Sequence, residues 1–281
     1  MHIFQGISET KAFLKTIKDQ KGTIGFVPTM GALHKGHLSL LAEARRNNDF
    51  VVCSIFVNPI QFNNKSDLEN YPRDIQRDIQ LLESAGCDFL FQPTEPEMYP
   101  EPVTETYDFG NLDKVMEGKF RPGHFNGVAV VVKRLFEIIE PDRAYFGLKD
   151  FQQVAIIQRM VKDYNIPVEI IPCSTVREND GLAMSSRNQL LTKEDRKQAA
   201  IINEALQRVK VQSGSLTIKE ITDQIQYLFG KTRNAKLEYF EIVDMYTLEP
   251  ISSWTESKHV IACIAVYFGK VRLIDNIILF S

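Results

Sequence analysis

Two periods of apolar and polar residues alternate along the first two thirds of the chain. Short apolar runs at residues 23–27, 50–57, 88–91, 144–146 and 168–171 predict strands. Between them lie segments with helical spacing. Ser8 caps one that runs to about Lys18. Others follow at residues 38–44, 74–85 (stopped by Gly86), 126–139 (ended near Pro141) and 151–164. The run 50–57 is apolar without interruption, as suits a central strand covered on both faces. This alternation predicts an α/β fold with a doubly wound, parallel, Rossmann-like sheet. Residues 92–102 hold four prolines and read as loop or short helix.

Beyond about Val176 the pattern changes. A turn-rich segment reaches Asn188, helical stretches follow at 193–209 and 218–229, and strand-like runs lie at 239–243, 259–267 and 273–279. Helices followed by strands predict a smaller α+β domain with an antiparallel sheet. The expected division is residues 1–176 for the Rossmann-like domain and 177–281 for the C-terminal α+β domain.

Composition narrows the class. The 281 residues are 44% hydrophobic and 25% charged, with a net charge of −3, values ordinary for a globular protein. No basic block of five or more residues occurs, which argues against a nucleic-acid partner. No apolar run approaches membrane-spanning length, and Met1–Gly6 lacks the pattern of a signal peptide, so a cytoplasmic protein is expected. Cys53, Cys87, Cys173 and Cys263 are far apart and form no C-x-x-C pair; they read as reduced residues, mostly of the core.

The candidate chemistry collects at strand ends, where an open α/β sheet places its ligand. After the first predicted strand comes Met30-Gly31-Ala32-Leu33-His34-Lys35-Gly36-His37. Its H-x-G-H element puts two histidines on one face at the start of a helix, whose unpaired N–H groups and dipole suit phosphate. Taken alone, the same residues fit a surface turn or half of a zinc site, but no further zinc ligands lie at suitable spacing. Asn58-Pro59-Ile60-Gln61 follows the second strand, and Gly147-Leu148-Lys149-Asp150 with Gln152 and Gln153 follows the fourth. Lys149 opening a helix conflicts with the dipole, a conflict that a bound phosphate resolves. After the fifth strand, Met184-Ser185-Ser186-Arg187-Asn188 offers two hydroxyls and a planar cation. Gln61 and Gln153 suit a substrate with hydroxyls and a carboxylate. Asp78 and Asp150 are candidate Mg2+ contacts. Arg121-Pro122-Gly123-His124 reads equally as substrate-facing or structural.

These segments, with Tyr71-Pro72-Arg73-Asp74 and Asp180-Gly181-Leu182-Ala183, resemble in order and spacing the pantothenate synthetase family of the H-x-G-H nucleotidyltransferase superfamily. The resemblance spans nearly the whole chain. It implies a two-step ligase in which ATP and pantoate give pantoyl adenylate and pyrophosphate, and β-alanine then displaces AMP. It implies ATP contacts from Met30 to His37, from Gly147 to Asp150, at Val176, and from Met184 to Arg187. It implies pantoate contacts at Gln61 and Gln153, with His37 catalytic. From the residue chemistry, His34, Lys149 and Arg187 join His37 in placing and neutralising the phosphates. The resemblance also implies a homodimer in which residues 1–176 bind nucleotide and pantoate and the C-terminal domain, 177–281, covers the site as a lid. The chain departs from the family at Arg77, where relatives often carry an acid before the residue matching Asp78, which weakens a two-carboxylate metal site. Rival readings are another H-x-G-H nucleotidyltransferase and a catalytically silent nucleotide-binding module; intact His34, His37, Lys149 and Arg187 argue against the second.

Overall fold

The structure is a computed structural model that describes residues 1–281. In chain order the first elements are β1 (His2–Phe4), α1 (Ile7–Asp19), β2 (Ile24–Thr29), α2 (Lys35–Asn47), β3 (Phe50–Ile55), α3 (Lys65–Glu69), α4 (Ile75–Ser84), β4 (Phe89–Phe91) and α5 (Glu95–Met98). There follow α6 (Met116–Phe120), α7 (His124–Ile139), β5 (Arg143–Gly147), α8 (Phe151–Asp163) and β6 (Glu169–Cys173). The C-terminal part holds α9 (Lys193–Ala199), α10 (Ile201–Gln212), α11 (Ile218–Lys231), β7 (Ala235–Asp244), β8 (Val260–Phe268) and β9 (Val271–Phe280).

The chain divides into two compact units. The first comprises Met1–Phe109, Arg121–Leu148 and Gln153–Ser174. It contains a parallel sheet in the order β1-β4-β3-β2-β5-β6. Strand order reverses between β2 and β5, the crevice position at which doubly wound sheets bind ligands. β2 and β3 pair over six residues, Ile24 with Phe50 through Thr29 with Ile55. Val27, Leu33, Leu41, Leu90 and Tyr145 form part of a closed apolar core on one side. α7 is buried almost all round, which explains its run of valines.

β1 is absent from the sequence pattern because three residues are too few to show a period. It pairs in parallel with β4. An aromatic cluster accompanies it: Phe4 lies edge-on to Phe13 and Phe89, which stack at 5.5 Å. The proline-rich stretch contains the one-turn helix α5.

The second unit comprises Gly110–Phe120, Lys149–Gln152 and Thr175–Ser281. Its antiparallel sheet, in the order β7-β8-β9, supports α10 and α11 over a core that includes Leu206, Phe229, Ile264 and Phe268. The expected single helix at 193–209 is two, α9 and α10, meeting at Ala200. Side-chain bonds account for the two early segments in this unit. Arg272 on β9 makes a forked pair with Glu117 at 2.7 and 2.6 Å and also binds Glu238. Tyr239 donates to Glu117 at 2.8 Å. Gln152 accepts from the Glu117 N–H and donates to the carbonyls of Leu112 and Val115. Burial opposes charge on Arg272, but the bonds and charges of Glu117 and Glu238 outweigh it and hold the guanidinium protonated.

Candidate active site

The histidine turn is built by reciprocal bonds between side chains and backbone. Gly31 lies at φ +81° and Ala32 at φ +50°, two successive left-handed residues that swing the chain away from the end of β2. Thr29 Oγ1 accepts the Gly31 N–H at 3.2 Å. Asp78, from α4 and 1% exposed, accepts the N–H of Ala32 at 2.8 Å and of Leu33 at 2.7 Å. His34 is the N-cap of α2, and its Nδ1 accepts the Gly36 N–H at 3.1 Å. His37 sits three residues into the helix, and its Nδ1 accepts the His34 N–H at 3.3 Å. The rings lie 4.1 Å apart, tilted by 34°.

This geometry changes the expected picture in one respect. The N–H groups of Ala32, Leu33, His34 and Gly36 are already committed to side chains, so they are not the phosphate donors that the helix N-terminus suggested. The histidine rings lie beside those bonds. With each Nδ1 acting as acceptor, the proton of the neutral ring resides on Nε2, making each ring a directed donor.

Asp78 has a structural task that the sequence does not reveal. Both its oxygens are committed to the turn, and Arg77 beside it is a cation. Burial raises its pKa, while the two backbone bonds act in the opposite sense.

Gln61 lies in a short 3-10 turn, Pro59–Gln61, beyond β3, and is buried. Asn58 Nδ2 donates to its Oε1 at 3.2 Å and to the Gly127 carbonyl at 3.1 Å. The Gln61 Nε2 points at Met30 Sδ, 3.1 Å away. His124 resolves the ambiguity left by its motif: its Nδ1 bonds the Gln61 carbonyl at 2.8 Å, and Arg121 meets its Nε2 at 3.0 Å. Arg121 can only donate, so Nε2 accepts and the Nδ1–H donates. His124 thus holds the backbone of Gln61. Gly127 is required by close approach, since a Cβ there would lie 2.5 Å from the Ile60 carbonyl oxygen and 2.6 Å from the Gln61 Cα. Sequence reasoning missed Asn58 as a site residue and Gly127 altogether; the signal for Asn58 was an amide immediately past a buried strand. Gln153 lies on α8, half-buried.

A cavity of about 280 Å³ opens beside the turn, lined among others by Met30, Ala32, Phe56, Arg73, Asp78 and Gln92. These residues follow the carboxyl ends of β2, β3 and β4 or lie on and before α4, on the β3 side of the β2–β5 switch point.

In the second unit Lys149 occupies a 3-10 turn, Leu148–Asp150, ahead of α8 rather than opening the helix itself. Its side chain is only 17% exposed, and its Nζ lies 3.6 Å from Asp150. The segment 176–188 is a knit hairpin. Met184 donates its N–H to the Val176 carbonyl at 2.9 Å, and Glu178 to that of Leu182 at 2.8 Å. Ser185 caps a 3-10 helix, Ser186–Leu190, by accepting the Arg187 N–H at 3.3 Å. Asp180 pairs with Arg196 at 2.5 Å, and this bond holds the carboxyl below its ordinary value. The structure thus brings the histidines and Gln61 onto turns after neighbouring strands, and sets Lys149 and Arg187 on two short 3-10 turns.

The family model for pantoate-beta-alanine ligase matches residues 2–278. The chain belongs to the pantoate-beta-alanine ligase family. It is therefore a ligase of this family, as the sequence resemblance implied. Pantothenate synthetase of Bacteroides thetaiotaomicron is 47% identical over 277 residues, covering 99% of this chain and 98% of that one. The enzyme of Caldicellulosiruptor bescii is 48% identical over 280 residues, covering 99% of each. The crystal structure of pantothenate synthetase from Thermus thermophilus matches with a TM-score of 0.93 at 43% identity, covering 100% of both chains. That of pantoate-beta-alanine ligase from Francisella tularensis, complexed with beta-gamma ATP and beta-alanine, matches with a TM-score of 0.83 at 40% identity, covering 99% of this chain and 98% of that one. No helix of the chain is long and apolar enough to cross a membrane.

Proposed function

We propose that this ligase joins pantoate to β-alanine in two steps through a pantoyl adenylate, using ATP, and that the histidine turn is where the adenylate forms. The observation that carries the reading is the capping of both Nδ1 atoms by backbone N–H groups, which directs two Nε2–H donors from one turn. The ATP and β-alanine held by the Francisella protein support the choice of substrates.

In the first step a pantoate carboxylate oxygen bonds to the α-phosphorus of ATP, and the bond to the bridging oxygen breaks, releasing pyrophosphate. The carboxylate is ionised at neutral pH and needs no base. What the step needs is in-line placement and neutralisation of charge on the phosphoryl oxygens. His34 and His37 donate hydrogen bonds there, while Lys149 and Arg187 supply fixed positive charge. The backbone from Met30 to His37 and from Gly147 to Asp150, with Val176 and Met184 to Ser186, shapes the nucleotide site. Gln61, its amide oriented by Asn58 and Met30, and Gln153 hold the pantoate hydroxyls and carboxylate. In the second step the β-alanine nitrogen bonds to the acyl carbon, AMP leaves with the bonding pair, and the amine proton passes to solvent.

Mg2+ fits this chain at Asp150, whose carboxylate is about half exposed; a single carboxylate together with phosphate oxygens is an ordinary magnesium environment. When bound, the ion neutralises the triphosphate. On the same reading the chain works as a cytoplasmic homodimer. An AMP-release assay tests the function: release requires ATP, pantoate and β-alanine together. Sustained AMP release with pantoate or β-alanine omitted would refute it.

A further inference from the structure

β9 is apolar along most of its length, yet its middle carries Asp275 and Asn276, which are 3% and 8% exposed. Buried polar side chains in a strand require partners, and the destination of their bonds is informative. Asn276 Nδ2 donates to the Lys149 carbonyl at 2.9 Å. The Asp275 carboxylate grips Arg177 at 2.6 and 3.1 Å, and its Oδ1 also accepts the Asn276 N–H at 2.8 Å. Arg177 passes this on: its Nη1 donates to the Gly181 carbonyl at 3.1 Å, and its backbone bridges to Ala183. Asn188 Nδ2 then bonds the Ala183 carbonyl at 3.1 Å.

Successive strand residues point to opposite faces, so adjacent positions can hold two different segments. Here those segments are the turn that presents Lys149 and the hairpin that leads into Ser185, Ser186 and Arg187. We propose that Asn276 and Asp275 are positioning residues for ATP: Asn276 sets the Lys149 turn, and Asp275, through Arg177, sets the hairpin that carries Arg187. The proposal rests on the reading of Lys149 and Arg187 as phosphate-binding groups. Neither β9 residue needs to touch the nucleotide. Each acts by fixing a backbone whose next side chain does, and an error of an ångström there costs rate.

Double-mutant cycles in ATP–pyrophosphate exchange test this. Asn276→Ala is expected to raise the KM for ATP by about tenfold, the effect of losing one buried hydrogen bond, with the KM for pantoate unchanged within about twofold. In a Lys149→Ala background the same change costs less than about twofold, because the group it positions is gone. Asp275→Asn behaves likewise toward Arg187→Ala. Asn276→Ser, which keeps a short donor, serves as a milder variant should the alanine variant fold poorly, and thermal unfolding monitors stability separately. Equal losses with and without Lys149, an equal rise in the KM for pantoate, or kinetics at wild-type level in the Asn276 variants would overturn the proposal. The underlying reading fails in a different way: Lys149→Ala alone would then leave exchange intact.

Discussion

Ala32, held at φ +50°, donates its backbone N–H to the buried carboxylate of Asp78 at 2.8 Å. A non-glycine residue in this conformation costs about 1 kcal/mol, and the two bonds to Asp78 offset that cost. The histidine turn is thus shaped from beneath by an acid on a different helix. Asp78→Asn keeps the shape but turns an NH2 toward a backbone N–H. The expected result is a loss of about 1–3 kcal/mol of stability, faster amide exchange at Ala32 and Leu33, and slower adenylate formation with the Mg2+ dependence unchanged. A large rise in the Mg2+ needed for half-maximal rate would return Asp78 to the metal.

Gly127→Ala probes the other substrate. Its Cβ would strike the backbone of Ile60 and Gln61, which cannot yield as a flexible side chain can. A loss of about 1–3 kcal/mol is expected for such overpacking. Displacement of Gln61 should raise the KM for pantoate more than that for ATP. A variant with normal stability and normal pantoate kinetics would show that α7 does not set the position of Gln61.

The sequence, with Gly181 giving backbone freedom, predicts a loop at Met184–Arg187 that orders over ATP and slows amide exchange at Asp180–Asn188. Its internal bonds argue for a preformed hairpin. Hydrogen exchange at Glu178, Gly181 and Met184 should already be slow without nucleotide, since each N–H is bonded within the hairpin. Rapid exchange there, slowed on adding ATP and pantoate, would favour a loop that orders on binding.

The cysteines set a limit at high pH. Burial pushes the thiols of Cys87 and Cys173 up to about 11, and raises Cys53 and Cys263 as well. The unfolded chain releases these protons near the ordinary value of 9.0, before the folded chain does. Stability is therefore complete below about pH 9 and falls as pH rises toward 11. Thermal melts across that range check the sign; a melting temperature rising from pH 9 to 11 would contradict it. Native labelling by a thiol reagent at pH 8 should be far slower than in denaturant.

Much of this is legible in the sequence, for physical reasons. The central strands are continuous apolar runs, and the functional turns lie where those runs stop, so both fold class and candidate positions can be read. The missing parts depend on partners remote in sequence. That Asp78 holds the histidine turn follows from α4 lying beneath Ala32 and Leu33. That His124 holds Gln61, and that residues 110–120 join the C-terminal sheet, follows from bonds to Gln61 and Arg272. The helix N-terminus looks open to phosphate in the sequence because no pattern reveals that its N–H groups are taken by His34, His37 and Asp78.

A pantoyl adenylate that forms at the histidine turn before β-alanine reacts makes the first step reversible in the absence of β-alanine. Isotope exchange between ATP and pyrophosphate reads that step. Exchange is expected to require pantoate, to proceed without β-alanine, and to fall by about two to three orders of magnitude in His37→Ala, as when a donor to developing charge is removed. Exchange that requires β-alanine, or that persists unchanged in His37→Ala, would contradict it.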